Sequence, residues 1–242
     1  LAGADCAVED VLPAAYAKRS DNRGFESLAV PPDESRLFCL LQSPLEPDGL
    51  AAGELPHLVR LLVIDPRTAR PLAEYLYPLG DSNEPNAVAR ALDADGKISA
   101  LAAIDALTLL VLEQSDHHSR LYRVRLDTAH SSLDTSLPPP TGADAAPQNP
   151  GPIGPRHVLE KELVADLAPV AARLHGDIVP GRSHCPTKLS DLKFEGMALL
   201  DGQRVAVVND NDFDMDPAGS GPANPPQRRS CLWVLRLPER LR

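Results

Sequence analysis

Apolar and polar residues alternate along this chain in short runs, and the runs come in groups. In the first group they cover residues 26–30, 36–42, 58–64 and 71–76. These runs are rich in Leu, Val and aromatic residues, and turns that contain Pro, Asp or Gly separate them. Short apolar or alternating runs bounded by turn residues are typical of β-strands. The pattern therefore predicts a four-stranded antiparallel sheet.

The same plan is repeated further along the sequence. The second group covers residues 98–104, 106–114, 120–126 and 158–164, and the third covers residues 195–200, 203–209 and 231–237. Each group opens with a related phrase: Phe25-Glu26-Ser27-Leu28-Ala29, Ile98-Ser99-Ala100-Leu101-Ala102 and Phe194-Glu195-Gly196-Met197-Ala198. Such an internal repeat indicates a repeat architecture. Radial repetition of four-stranded antiparallel sheets predicts an all-β protein with the β-propeller fold.

The number of repeats is too small for a closed ring. Propellers have roughly four to eight blades, whereas this chain supplies about three, near residues 22–80, 97–166 and 190–242. We therefore expect the remaining blades to lie on a separate or cleaved chain. Residues 1–21 would be an extension or a connection to those blades. The last blade lacks an outer strand, which the other part would supply.

Helices are expected to be few in this proline-rich chain. Residues 11–18 predict two helical turns before the first blade. Residues 162–174 have Leu and Val at helical spacing, although the start of this segment is equally consistent with a strand. Residues 137–155 are rich in Pro and Gly and predict an exposed loop between outer strands, and residues 217–229 predict a second one.

Composition excludes several classes of protein. The formal net charge of −10 argues against a nucleic-acid surface, which needs clustered Lys and Arg. No apolar run approaches the roughly 20 residues of a membrane helix. The four cysteines, Cys6, Cys39, Cys185 and Cys231, have no C-x-x-C spacing, so a zinc site is not expected. Two disulfides would suit an oxidising compartment, with Cys185 and Cys231 as the preferred pair, and the alternatives are four buried free thiols or pairing with the missing part of the propeller.

Polar residues at the strand ends suggest a metal site. In an antiparallel pair, the start of the first strand and the end of the second lie at the same edge. We therefore expect one rim to carry Glu26, Ser99 and Glu195 together with Gln42, Glu113 and Asn209. Oxygen ligands that converge on a rim suit a hard cation, and Ca²⁺ is the leading candidate. Alternatively, each Glu accepts hydrogen bonds from backbone amides of an adjacent blade.

An acidic run follows the second strand of the third repeat, at residues 209–216. Its alternating carboxylates repel one another unless solvent or a cation screens them. The run resembles a calcium loop but departs from an EF-hand, because Met215 stands at the position of the turn Gly and Gly221 at that of the bidentate Glu. A solvated acidic turn is the other interpretation. Asn209 and Asp210 are closest to the strand and are the predicted ligands.

Other candidate residues give weaker signals. Arg23 and Lys193 each stand near a rim Glu, and they would bind an anionic substrate or pair with those carboxylates. Asp116-His117-His118 is typical of a surface turn. The chain has no G-x-S-x-G elbow, no H-E-x-x-H motif and no phosphate-binding P-loop, so no motif supports serine catalysis.

Several of these phrases together resemble the phytase-like family, which is described as having esterase-like activity of phytase. They are Asn22-Arg23-Gly24-Phe25-Glu26-Ser27-Leu28-Ala29, Leu40-Leu41-Gln42-Ser43-Pro44-Leu45, Leu110-Val111-Leu112-Glu113, Lys193-Phe194-Glu195-Gly196-Met197-Ala198 and Val208-Asn209-Asp210-Asn211-Asp212-Phe213. The resemblance implies a secreted or periplasmic bacterial propeller that hydrolyses phosphate or carboxylate esters. More distantly similar propellers hold Ca²⁺ at the channel mouth. Ser27 replaces the usual Gly, and Ser99 stands where a Glu is expected, which reduces the set of ligands.

These observations lead to one prediction for the site. The metal would be held by Glu26, Glu195, Asn209 and Asp210. Glu113 or Asp212 would act as general base, and Arg23 and Lys193 would bind the substrate. The alternative is a non-enzymatic scaffold for a ligand or protein, in which a structural calcium ion holds the blades together.

Overall fold

The protein is an all-β chain, and the strands that the structure describes form three separate sheets. The computed structural model describes residues 12–45, 58–80, 96–115, 118–127, 158–167, 169, 194–210 and 232–241. The first sheet contains β1 (Phe25–Ala29), β2 (Leu37–Leu41), β3 (Leu58–Ile64) and β4 (Pro71–Pro78). The second contains β5 (Lys97–Ala103), β6 (Thr108–Gln114), β7 (Ser119–Arg125) and β8 (Lys161–Asp166). The third contains β9 (Phe194–Leu199), β10 (Arg204–Asn209) and β11 (Leu232–Arg236).

Neighbouring strands within each sheet pair antiparallel and in chain order, which confirms the predicted meander in all three repeats. The largest difference in boundaries concerns β8, which begins at Lys161 rather than at Val158. Val158 instead forms a parallel bridge with Leu76 of β4, and the Leu159 N–H donates to the Leu76 carbonyl oxygen at 2.9 Å. The strand interpretation of the start of segment 162–174 is therefore confirmed, and this connection joins the outer strands of the first two sheets.

The second sheet is buried between the other two. Successive side chains of a strand point to opposite faces. Accordingly, Leu109 and Val111 of β6 belong to a core shared with the first sheet, whereas Leu110 and Leu112 belong to a core shared with the third. Burial on both faces explains why β6 is apolar along most of its length.

The first strands of the three sheets, β1, β5 and β9, lie next to one another, with β5 in contact with both of the others. A similar hydrogen bond marks each contact between sheets. The Ile98 N–H donates to the Gln42 carbonyl oxygen at 2.9 Å, and the Phe194 N–H donates to Oε1 of Gln114 at 2.9 Å. The described residues thus form a series of sheets stacked face to face, and they do not close a ring.

A short 3₁₀ helix, Ala14–Lys18, stands where the sequence predicts two helical turns. Its Tyr16 ring stacks on Phe25 at a centroid distance of 5.1 Å, and the Tyr16 hydroxyl donates to Oε2 of Glu74 at 2.9 Å. The helix therefore packs on the first sheet. The predicted loops at 137–155 and 217–229 lie outside the described residues. Within the described part of the chain, no helix has the length and apolar character needed to cross a membrane.

Candidate functional site

The first strand of each sheet has a β-bulge at the same position of the repeat. In β1 the pairing shifts between Phe25 and Ser27. In β5 it shifts between Ile98 and Ala100. In β9 it shifts opposite Val208 and Asn209. The extra residues are Glu26, Ser99 and Glu195. Because a bulge re-aims its side chain and often lies next to an active site, these three residues define the candidate site.

The three bulge residues differ in exposure. Glu26 and Glu195 are exposed, whereas Ser99 is buried and its hydroxyl has no hydrogen-bond partner. Ser27, next to the first bulge, is likewise buried with an unpartnered hydroxyl. Most buried polar groups in folded proteins have a hydrogen-bond partner, so these two hydroxyls have hydrogen-bonding capacity that no described residue uses. We call Glu26, Ser99, Glu195 and Ser27 the bulge rim.

The strand register corrects one part of the predicted rim. Phe25, Ile98 and Phe194 pair with Leu41, Glu113 and Asn209, respectively. Gln42 is therefore equivalent to Gln114 and Asp210, and it is not equivalent to Glu113 and Asn209 as the sequence comparison assumed. The difference is one residue, and in a strand one residue changes the face to which a side chain points.

Glu113, which the sequence predicts as a general base, is completely buried at the boundary between the first two sheets. Its Oε1 accepts hydrogen bonds from the Tyr77 hydroxyl and from Nζ of Lys161, and its Oε2 accepts one from the Gly80 N–H at 2.9 Å. Burial raises the pKa of the Glu113 carboxyl, and the Lys161 ammonium opposes this rise. These contacts favour a structural role, and the general-base role of Glu113 stays a prediction.

Lys161 completes this buried group, and sequence analysis missed it. Its Nζ lies 4.0 Å from the centre of the Tyr122 ring and 4.9 Å from that of Tyr77, within the range of cation–π attraction. Burial and the Glu113 carboxylate raise the pKa of Tyr77 well above its ordinary value. No local pattern around Lys161 indicates these contacts, because Glu113 and Tyr122 lie on other strands of the second sheet and Tyr77 lies on the first sheet.

Glu195 forms an ion pair across the boundary between the second and third sheets. Its Oε1 accepts a hydrogen bond from Nζ of Lys97 at 3.0 Å. The sequence does contain a signal for Lys97, because Lys97 precedes Ile98 as Lys193 precedes Phe194 in the next repeat. Comparison of the repeats therefore predicts a cation beside the bulge, although not which carboxylate it contacts.

The other predicted site residues are only partly brought together. Asn209 is buried and Nδ2 of its amide donates to the Asp210 carbonyl oxygen at 3.3 Å. Arg23 is half-buried just before β1. Lys193 and Asp212 lie outside the described residues. Across the parts of the chain that the structure describes, no three His, Cys, Asp or Glu side chains cluster closely enough to hold a metal ion.

Two further residues with reactive side chains have ordinary structural roles. Cys39 of β2 is a buried free thiol, and burial raises its pKa to about 11. The other three cysteines lie outside the described residues, so the predicted Cys185–Cys231 pair stays a prediction. His118 bonds through Nδ1 to the Ser115 hydroxyl at 2.8 Å, which closes the turn between β6 and β7.

Taken together, the fold and the bulge rim define a class: all-β repeat proteins whose stacked antiparallel sheets present acidic residues at one edge. A comparison with protein families narrows this class. The family described as Phytase-like, Esterase-like activity of phytase, matches residues 4–213. The match covers most of the chain, and the protein therefore belongs to the phytase-like family. Searches among curated proteins and among solved structures gave no significant match.

Proposed function

We propose that this protein is a β-propeller hydrolase that acts on phosphate or carboxylate esters at the bulge rim. The observation that carries the proposal is the recurrence of one bulge in three adjacent strands, which brings Glu26, Ser99 and Glu195 to equivalent positions. Membership of the phytase-like family supports the hydrolase class. The propeller would be completed by further sheets on another chain, and the protein would work in the periplasm or outside the cell.

The donors at the rim fit a hard cation such as Ca²⁺ in their chemistry. Glu26 and Glu195 are exposed carboxylates, and the Ser99 hydroxyl lacks a partner. The described acids do not form a three-acid cluster, so the proposed shell needs amide and backbone oxygens from Asn209 and Asp210 as well. When bound, the cation would polarise a phosphoryl or carbonyl oxygen of the ester.

The remaining roles belong to residues of the chain itself. Arg23 and Lys193 would bind the anionic part of the substrate through their positive charges. Glu113 or Asp212 would act as general base, and the burial of Glu113 and its bonds to three donors favour Asp212. A general base must come within hydrogen-bond reach of the water from which it takes a proton.

The test measures bound metal and turnover on the same sample. Purified protein is analysed for calcium, and hydrolysis of an aryl phosphate and an aryl ester is followed with and without a chelator. We expect stoichiometric calcium and chelator-sensitive turnover. Glu195→Gln should abolish turnover while leaving the melting temperature unchanged, and Glu162→Gln, which changes an exposed carboxylate on the outer strand β8, should alter neither. If neither the chelator nor Glu195→Gln changes the rate of hydrolysis, the bulge rim is not the active site.

One observation favours a second candidate, a binding scaffold in which the rim only joins the sheets. Glu195 is already paired with Lys97 across a sheet boundary, which is a structural contact. In this case calcium binds without turnover, and Glu195→Gln lowers the melting temperature. The two measurements in the previous test therefore separate the candidates.

A further inference from the structure

Lys97 and Glu195 join the second and third sheets at the bulge rim through an ion pair. Nζ of Lys97 lies 3.0 Å from Oε1 of Glu195, and the two side chains are 19% and 39% exposed. Lys97 is the first residue of β5, and Glu195 is the bulge residue of β9, which lies next to β5. A positive charge of the protein therefore contacts one of the carboxylates to which the proposed function assigns a metal ion.

The equivalent positions at the boundary between the first two sheets carry no charge. The register makes Gly24 equivalent to Lys97 and Ser99 equivalent to Glu195. Both members of the pair are thus uncharged at the first boundary and charged at the second. Because the first two sheets pack together without such a pair, the ion pair is not a general requirement for joining sheets. It belongs to the rim carboxylate itself.

A calcium ion at Glu195 would compete with Lys97 for the same carboxylate. Ca²⁺ binds carboxylates through one or both oxygens, and Oε1 of Glu195 already accepts a hydrogen bond from the Lys97 ammonium. Two cations beside one carboxylate also repel each other, and near a protein surface this repulsion is stronger than in bulk water. A partly exposed ion pair contributes little to stability, so Lys97 is able to leave Glu195 at a small cost in free energy.

We propose that Lys97 is an internal counter-ion that lowers the affinity of the bulge rim for calcium. In the metal-free protein its ammonium neutralises Glu195, and calcium must displace it to bind. The apparent affinity of a ligand falls with the fraction of molecules that are competent to bind it, and pairing with Lys97 reduces that fraction. Regulation by Lys97 rests on the calcium site of the proposed function, and it does not depend on the hydrolysis step.

Calorimetric titration with Ca²⁺ alone tests this role of Lys97. We expect Lys97→Met to bind calcium about tenfold more tightly than the wild type, because the competing charge and its repulsion are both removed. Lys97→Gln is also neutral and should show the same gain. Lys97→Arg keeps the positive charge and should bind calcium no more tightly than the wild type.

Arg204→Met is the matched control for net charge. It also removes one positive charge, but Arg204 begins β10, at the opposite end of the strand from Asn209, and pairs there with Asp201. Its calcium affinity should equal that of the wild type.

A double-mutant cycle tests whether Lys97 acts through Glu195. Glu195→Gln removes the carboxylate for which the two cations compete. Adding Lys97→Met to Glu195→Gln should therefore give no gain in calcium affinity, whereas Lys97→Met alone gives the full gain. An equal gain in both backgrounds would contradict competition for Glu195.

The single tryptophan of the chain reports whether the ion binds at this place. The ring of Trp233 meets that of Phe194 edge to face at a centroid distance of 5.5 Å, and Phe194 directly precedes Glu195. We expect calcium to change the fluorescence of Trp233 in the wild type and in Lys97→Met. The midpoints of these changes should match the calorimetric affinities.

The remaining outcomes separate this role of Lys97 from the proposed function. Equal calcium affinities in Lys97→Met and the wild type would refute the competition and leave the hydrolase standing. Weaker binding in Lys97→Met would show that Lys97 orients Glu195 for the metal, which also overturns the competition. If neither protein binds calcium, the competition fails together with the proposed calcium site. Tighter binding in Lys97→Met without ester hydrolysis in either protein would support the competition and refute the hydrolase alone.

Discussion

At the scale of single residues, the most constrained group is the buried one around Glu113. The side chains of Glu113 and Lys161 have 0% and 2% exposure, and the Tyr77 hydroxyl and the Gly80 N–H bond the same carboxylate. Removing charges from water is costly, and the attraction between them offsets this cost only when their remaining hydrogen bonds are made. Here the Tyr77 hydroxyl and the Gly80 N–H bond the carboxylate, and the rings of Tyr77 and Tyr122 lie within cation–π distance of the ammonium.

Removal of one partner should therefore be strongly destabilising. We expect Lys161→Met to lower the free energy of unfolding by about 3–5 kcal/mol, because it leaves the Glu113 carboxylate buried without its cation. Urea denaturation measures this loss. The control is Arg123→Met, which breaks an exposed pair with Glu162 and should cost no more than about 1 kcal/mol. Equal losses of unfolding free energy in the two variants would show that burial does not make the Glu113–Lys161 pair more important for stability than an exposed pair.

At the scale of elements, the repeated bulge shapes each first strand and imposes a requirement in the third sheet. Gly196, next to the bulge residue Glu195, pairs with Val208. A Cβ atom at position 196 would lie 2.5 Å from Cγ1 of Val208, which is closer than atoms tolerate. Val is stiff at χ1, so its side chain does not move away easily. The Glu-Gly phrase of the third repeat is therefore explained by a close approach between two strands.

Gly196→Ala should destabilise the third sheet by about 1–3 kcal/mol through this overlap. The matched control is Gly202→Ala, because nothing lies within 4 Å of a Cβ atom there, and we expect a change within about 0.5 kcal/mol. Adding Val208→Ala to Gly196→Ala should recover part of the loss. Thermal or urea denaturation of the wild type, the two single variants at 196 and 208 and their combination forms a double-mutant cycle, and strict additivity would argue against the overlap.

At the scale of the whole molecule, the sheets are joined by a small number of specific contacts as well as by their apolar faces. The first two sheets are linked by a backbone hydrogen bond from Ile98 to Gln42, and the next two by a bond from the Phe194 N–H to the side chain of Gln114. Gln42 and Gln114 are equivalent in the repeat, and each accepts the linking hydrogen bond, Gln42 through its backbone carbonyl and Gln114 through its side-chain amide oxygen. Substitution of Gln114 therefore removes its acceptor atom, whereas substitution of Gln42 does not.

Gln114→Leu should leave the buried Phe194 N–H without its acceptor and cost about 1–3 kcal/mol. Amide hydrogen exchange at Phe194, followed by nuclear magnetic resonance, should become faster. Gln42→Leu is the matched control, because it keeps the carbonyl oxygen that accepts from Ile98 and should leave the Ile98 amide protected. If both variants behave alike, the side chain of Gln114 does not hold the second and third sheets together.

The sequence predicts the strands of this protein well because the residues that must be buried lie in short apolar or alternating runs within each strand. Each strand must turn apolar side chains toward a core, and so all eleven described strands coincide with apolar or alternating runs. The sequence does not predict the bulges, because residues 98–102 are all buried and show no alternation that an inserted residue would interrupt. Gln42 is one residue away from the true equivalent of Glu113 because the comparison of the repeats matches polar residues at strand ends, whereas the register is set by strand pairing.

By itself, then, the sequence determined the all-β class, the three repeats and the presence of Glu26, Ser99 and Glu195 at equivalent places. Local side-chain period and turn residues are sufficient for those features. Only the tertiary structure decided that Glu113 meets Lys161 within the second sheet and that Glu195 meets Lys97 across a sheet boundary. The first pair depends on how distant strands of one sheet come together, and the second depends on which sheets adjoin. Residues far apart in the chain meet only when strands pair or sheets pack, and no local pattern encodes that choice.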